Sequence, residues 1–458
     1  MSTVPTNVPP APGGRPAAPR NAGGVADRRA AATPHPMAGG FPGVGGAAAA
    51  SPPFRLPGEH FAAAMVFLAF GAVALVVLAP ELSAGMYLSP RAAALTHLFT
   101  LGWITTSILG ALYQFLPVAL GNPIRSIPLA HFTFALYVPG IVAFASGLIL
   151  GVSGLMVAGA ATFGTALLLF IGNLGVTLAR APRRDVTWWS LTFAAFFLLI
   201  TVTLGLALAG NLRWGYLGDG RLTALGTHAH VALGGWVLLI MIGVAHRLLP
   251  MFLLSHGAGD KYAKAATALV ASGAGVLAFL HHMPAPVSRW LPALLLAAGL
   301  CCFLEQARRF YRTRRRPTID PGMRLAAIAL GFLAVAMVLA GPVVLAMASP
   351  RMVTGYVLAI LLGISLFVAA HFYKIVPFLV WYHRFGPLAG KRPVPRVAEL
   401  YSARVATTAA ALLVAGAAAL VAAVLLGIPG AARGAALVFT AGVGVEAAQM
   451  ISLARRRP

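Results

Sequence analysis

Acidic side chains are scarce. Ten Asp and Glu stand against 34 Lys and Arg in 458 residues, and only Glu305 and Glu446 fall inside long apolar stretches. That distribution excludes a relay of carboxylates running through an apolar interior, where ionisable groups are expensive and therefore few. Cysteine is almost as rare: Cys301 and Cys302 are the only two and are adjacent, which excludes a disulfide framework and reads as small apolar packing. Charged residues make up 10% of the chain against 59% hydrophobic, so a soluble globular protein is excluded as well. The excess of positive charge is not arranged as a basic patch interleaved with exposed aromatics, and no nucleic-acid partner is expected. Residues 1–57 contain no short hydrophobic core followed by a small-residue cleavage site, so a cleavable signal is not expected either.

What is abundant is apolar length. Crossing the hydrocarbon core takes about 20 apolar residues as a helix. Stretches of that kind lie at 60–79, 94–119, 128–150, 155–178, 187–209, 224–252, 263–283, 289–308, 323–347, 353–381, 402–427 and 432–453. The expected fold is all-α, a polytopic membrane bundle of about twelve transmembrane helices. Lys and Arg collect in alternate connections: Arg180 to Arg184, Lys261 and Lys264, Arg308 to Arg316, Arg384 to Arg396, and Arg455 to Arg457. Basic loops resist translocation, which predicts a multi-pass protein of a bacterial inner (cytoplasmic) membrane with both termini in the cytoplasm. The positive charge then serves topology and contact with lipid headgroups. Residues 1–57, built from Ala, Pro, Gly and Arg, read as a disordered cytoplasmic tail, and 58–458 as the membrane domain.

Two of the apolar stretches carry the same pattern. His97, Gly102, Trp103, Gly110, Leu116 and Pro117 recur as His230, Gly235, Trp236, Gly243, Leu249 and Pro250, at a constant separation of 133 residues. A weaker third copy has Tyr373 and Pro377 where the others have Tyr113 and Pro117, or His246 and Pro250. "LYQFLP", "AHRLLP" and "FYKIVP" are read as closing helices two, six and ten. A four-helix unit used three times produces this numbering and predicts three four-helix arcs in a pseudo-threefold arrangement. In the third copy the histidine position holds Val357.

Topology sorts the histidines by depth. His97, His228 and His230 fall in the outer turns of helices two and six, and His281 and His282 at the outer end of helix seven. His246 and His371 lie nearer the cytoplasmic face. A lone polar residue in a membrane helix can serve simply to hydrogen-bond a neighbouring helix, the reading given to His60, His246, His256 and His383. Five imidazoles from three helices at one level point instead to a metal or haem site, because neutral imidazole is the usual nitrogen ligand of iron and copper. Trp103 and Trp236 could lie against a flat macrocycle or could be packing residues, and the glycines permit close helix approach.

The segment from Thr96 to Pro117, "THLFTLGWITTSILGALYQFLP", resembles the second helix of the catalytic subunits of the haem-copper oxidase superfamily, which includes the nitric oxide reductases. His230 or His228, with the His281–His282 pair, is similar to that family's set for its non-haem metal. The resemblance implies twelve helices in three arcs, a haem b on His97 with His228 or His230 as a second axial ligand, and copper or non-haem iron on His230, His281 and His282. The chain departs from the family at helix ten: Val353 to Val368 contain no His-x-His, and His371 is too deep to replace it. The tyrosine four residues beyond the helix-six metal histidine is missing too, its place being Gly234 or Ala232. An oxidoreductase lacking the helix-ten ligands, not a proton-pumping oxidase, is what these departures leave. The chain is also similar to the NnrS family of haem- and copper-containing membrane proteins. The resemblance thus implies electron transfer, or sensing and handling of NO or O2, with a small electron-donor protein or partner subunit, membrane lipids and a small gas ligand as partners. Two alternatives stay open: a copper-handling membrane protein without haem, and a metal-free transporter. Arg125, Arg213 and Arg221 are candidate partners for haem propionates, Arg213 and Arg221, with Trp214 and Tyr216 beside them, being the better placed.

Overall fold

A computed structural model describes residues 52–280 and 286–458. Among these residues the chain is helical, with one isolated antiparallel bridge between Ser255 and Arg314. Twelve helices are long and apolar enough to cross a membrane: α1 Arg55–Ser83, α2 Pro90–Leu120, α3 Ile127–Leu150, α4 Ser153–Ala179, α5 Val186–Trp214, α6 Gly218–Leu253, α7 Lys261–Phe279, α8 Val287–Arg312, α9 Pro321–Val344, α10 Pro350–Leu388, α11 Ala403–Leu426 and α12 Pro429–Ala454. The protein is a polytopic all-α membrane bundle. The expected tail, 1–57, lies outside the described residues as far as 51. Its last residues already belong to α1, where Leu56 is fully buried. Arg55, Glu59 and His60 interrupt the apolar run there, so a count of consecutive hydrophobic residues starts the helix too late.

Many helix starts follow local chemistry. Ser89, Ser126, Asp185, Asp320, Ser349 and Ser402 each accept a hydrogen bond from the backbone N–H three residues on, satisfying a donor that the first turn leaves without an intrahelical partner. In α2, α3, α9 and α10 a proline follows at the first or second helical position, where its missing N–H costs nothing.

The helices pack as three consecutive groups of four. Within each group the last two form a hairpin held by glycines: a methyl at Gly159 would stand 2.3 Å from the Phe144 nitrogen, at Gly299 2.5 Å from Val270 Cγ2, and at Gly416 2.4 Å from the Phe439 nitrogen. The ring closes where α12 meets α1, with the Thr440 hydroxyl donating to the Ala72 carbonyl at 3.0 Å. Helices α2, α6 and α10 lie inside. Their most apolar segments are 83%, 56% and 67% buried, while no other span exceeds 44%. The three touch one another: His97 on α2 faces His228 on α6, Phe252 on α6 packs near His371 on α10, and Phe372 on α10 packs on Trp103 of α2.

The first two groups also repeat in their contacts. Methyls at Gly102 and Gly110 of α2 would strike Phe67 and His60 of α1 at 2.7 Å, and methyls at Gly235 and Gly243 of α6 would strike Phe197 and Ser190 of α5 at 2.7 and 2.8 Å. The glycines of the repeated motif are thus the contact line between an inner helix and the first helix of its own arc.

The proline near the end of each motif is followed by further helical residues, as the apolar stretches ending at 119, 252 and 381 imply. Helix α2 runs on from Pro117 to Leu120, α6 from Pro250 to Leu253, and α10 from Pro377 to Leu388, carrying His383 within it. A proline removes one N–H and leaves its own carbonyl free to accept. In α2 that carbonyl receives the closing bond from the Gly121 N–H, and in α6 the one from Leu254. Both closing residues are left-handed, Gly121 at φ 73° and Leu254 at φ 53°. Leucine carries its Cβ into a conformation that costs about 1–2 kcal/mol. Leu254 is 45% exposed, which limits the packing lost with its side chain, so Leu254→Gly is expected to raise the midpoint of thermal unfolding in detergent, by about 1 kcal/mol of stability. A lowered midpoint would contradict this.

Candidate functional site

Both repeated histidines sit immediately before a widened stretch of helix. Residues Leu98–Thr105 of α2 and Val231–Leu238 of α6 are π-helical, eight residues each, following His97 and His230 directly. Such turns are rare and recur at functional positions. They place Trp103 and Trp236 in the protein interior, and both are essentially fully buried. Trp103 packs against Phe372, while the Trp236 indole stands edge-on to Phe170 and donates to the Thr105 hydroxyl at 3.3 Å.

His97 meets His228. The ring centres are 6.4 Å apart and the planes lie within 24° of parallel. His97 Nδ1 is 2.7 Å from the Ala93 carbonyl and His228 Nδ1 is 3.1 Å from the Thr201 carbonyl. A carbonyl only accepts, so each Nδ1 carries the proton and each Nε2 keeps its lone pair. The hydrogen bonds of both rings to the protein are made through Nδ1. Phe144 stands edge-on against His97 at 5.0 Å. The His228 ring lies over Gly205, where a methyl would come within 3.0 Å of Cε1. Glycine at that position is therefore a space left for an imidazole.

His230 is committed elsewhere. Its Nδ1 donates to the Gly226 carbonyl at 2.8 Å, and its Nε2 accepts the Tyr356 hydroxyl of α10 at 3.2 Å. The two rings are 6.2 Å apart and within 23° of parallel. One rule covers both pairs. Each repeated histidine reaches one arc forward, to a residue just before that arc's own repeat position: His97 to His228, two before His230, and His230 to Tyr356, one before Val357. Tyr356 carries no motif, and its neighbour Val357 in the third copy was the only sequence signal that could have pointed to it.

His281 and His282 lie outside the described residues, and with them most of the expected three-histidine set. Among the described residues no three His, Cys, Asp or Glu side chains gather closely enough to hold a metal ion. His371 is buried, with Nδ1 donating to the Phe367 carbonyl at 2.7 Å and Nε2 unpaired among the described residues. His60, likewise buried, donates to the Leu56 carbonyl at 2.8 Å. Of the two carboxylates that the sequence places inside apolar stretches, Glu305 pairs with Arg308 and Arg309, and Glu446 is fully buried with neither oxygen hydrogen-bonded among the described residues. Arg213 donates to the Ser153 hydroxyl and lies over the Trp214 ring.

No protein-family model matches this chain, and no curated protein matches it.

Proposed function

We propose that the chain is a divergent relative of the haem-copper oxidase catalytic subunits that holds one haem b between His97 and His228 and carries single electrons within a bacterial inner membrane. The observation that carries this reading is the facing imidazole pair. A metal–imidazole bond is about 2.0–2.1 Å, and the centre of an imidazole lies about 1.1 Å behind its nitrogen, so two imidazoles that shared one metal from opposite sides would have ring centres about 6.3 Å apart. The pair stands at 6.4 Å. Its donor chemistry fits as well: each ring is fixed by an Nδ1–H bond to a backbone carbonyl, which leaves Nε2 neutral with its lone pair, as is typical of histidines that ligate a metal.

A haem held by His97 and His228 would supply one-electron oxidation and reduction. The protein's part is orientation. The Ala93 and Thr201 carbonyls hold the rings, Phe144 packs on His97, and Gly205 admits His228. With two histidines committed to the group, electron transfer would be favoured over binding of NO or O2. The alignment of the arginine-rich loops at one end of the bundle supports a cytoplasmic location for both termini.

The purified protein should show a Soret band, a sharp low-spin α band on reduction and about one iron per chain, and carbon monoxide should leave the reduced spectrum unchanged. A preparation expressed with ample haem that shows no Soret band removes haem from the account. Gly205→Ala should retain haem but shift its reduction potential or its α band, since the His228 ring must move by a few tenths of an ångström; a spectrum and potential identical to the parent would mean that the ring is not a ligand.

A further inference from the structure

Helices α9 and α11 run parallel from the basic end of the bundle and leave a groove of about 200 Å³ between them. Facing stripes line it: Leu325 and Ile328 on α9, and Thr407, Ala410, Ala411 and Val414 on α11. The two alanines open the space opposite the larger side chains. Arg324 stands at the mouth, and Arg404 lies one turn before Thr407 on the same stripe.

Both guanidinium groups are exposed, and among the described residues neither has an acidic partner. Both lie in the opening turns of their helices, which begin after the caps Asp320 and Ser402. A helix amino end carries partial positive charge and disfavours a cation. The nearest carboxylate on α9, Asp320, is already engaged by Lys374 and by the Met323 N–H. Two unneutralised arginines are therefore held at two positive helix ends, directly above an apolar slot that opens toward lipid.

We propose that this groove seats an anionic phospholipid, with an acyl chain along the Leu325–Val414 floor and the phosphate between Arg324 and Arg404. A zwitterionic lipid offers the same chain without the net charge, and a free anion offers the charge without the chain. Basic side chains near a membrane surface each favour anionic lipid by about fivefold. The slot adds a fixed place for the chain.

The test is native mass spectrometry of the full-length protein in detergent with equal concentrations of phosphatidylglycerol and phosphatidylcholine, alongside thermal unfolding with each lipid. Phosphatidylglycerol adducts should predominate by roughly tenfold or more and should raise the unfolding midpoint. In an Arg324→Gln/Arg404→Gln protein, whose altered residues are exposed, both the preference and the stabilisation should vanish. Ala410→Phe should remove the adduct while leaving both arginines in place. Equal binding of the two lipids by the parent, an undiminished preference in the double variant, or a full-strength adduct in folded Ala410→Phe protein would each overturn the assignment.

Discussion

His97→Ala and His228→Ala proteins should each retain haem at roughly one tenth of the parent level or less, while His230→Ala stays fully loaded. Removing a group that merely orients a metal ligand typically lowers affinity 10- to 100-fold, and loss of the ligand itself should exceed that. The contrast with His230 gives the experiment its force. By the repeat, His230 is the counterpart of His97, so on motif alone its removal should be as harmful. By geometry its Nε2 already accepts the Tyr356 hydroxyl, and it has nothing to give a second centre. Glycine variants at 97 or 228 supplied with free imidazole should regain the low-spin spectrum. Haem that survives in both His97→Ala and His228→Ala would sink the proposed site, and haem lost only in His230→Ala would move it.

The largest loss of folded protein is expected from Gly159→Leu. The first side-chain atom would stand 2.3 Å from the Phe144 nitrogen and 2.8 Å from the Gly140 carbonyl oxygen. Both are backbone atoms of α3, so no rotamer can relieve the overlap. Between membrane helices there is no hydrophobic drive comparable to that in water, and association depends on this close fit. Overpacking in ordinary cores costs about 1–3 kcal/mol, and a clash against backbone should reach the top of that range or pass it. The readout is monodisperse yield from detergent and the unfolding midpoint. Gly172→Leu, on the same helix but with open space where its side chain would go, is the control and should behave like the parent. Equal yields for the two would mean that α3 and α4 do not meet as described.

Much of this architecture is legible in the sequence because membrane helices announce themselves by apolar length. The three-arc arrangement was legible too, through the 133-residue spacing of the histidine motif. The ends were harder. Leu56 belongs to a helix because it is buried, not because it sits in an apolar run, and the carbonyls of Pro117 and Pro250 accept the bonds that close α2 and α6. The facing of His97 and His228 was only half legible. His228 and His230 are two residues apart on one helix, which turns them about 200° from each other, so only one can face α2. The motif favours His230. The widened turn beginning at Val231 and the gap at Gly205 decide for His228. Tyr356 was beyond sequence reasoning, because its role is defined only by what the neighbouring arc presents to it.

The widened turns have a mechanical meaning of their own. A regular α-helix is a rigid screw: fixing the azimuth of one end fixes the other, about 100° for each residue between. An inner helix here must satisfy two demands at once, turning its glycines to the first helix of its own arc and its outer imidazole to the next arc. The slack taken up in Leu98–Thr105 and Val231–Leu238 uncouples those two settings, so that each shaft behaves as two shorter screws joined by an adjustable collar. A single-residue deletion within a collar would keep the span long enough to cross the bilayer, yet swing the imidazole away from its counterpart while Gly110 or Gly243, beyond the collar, stayed seated.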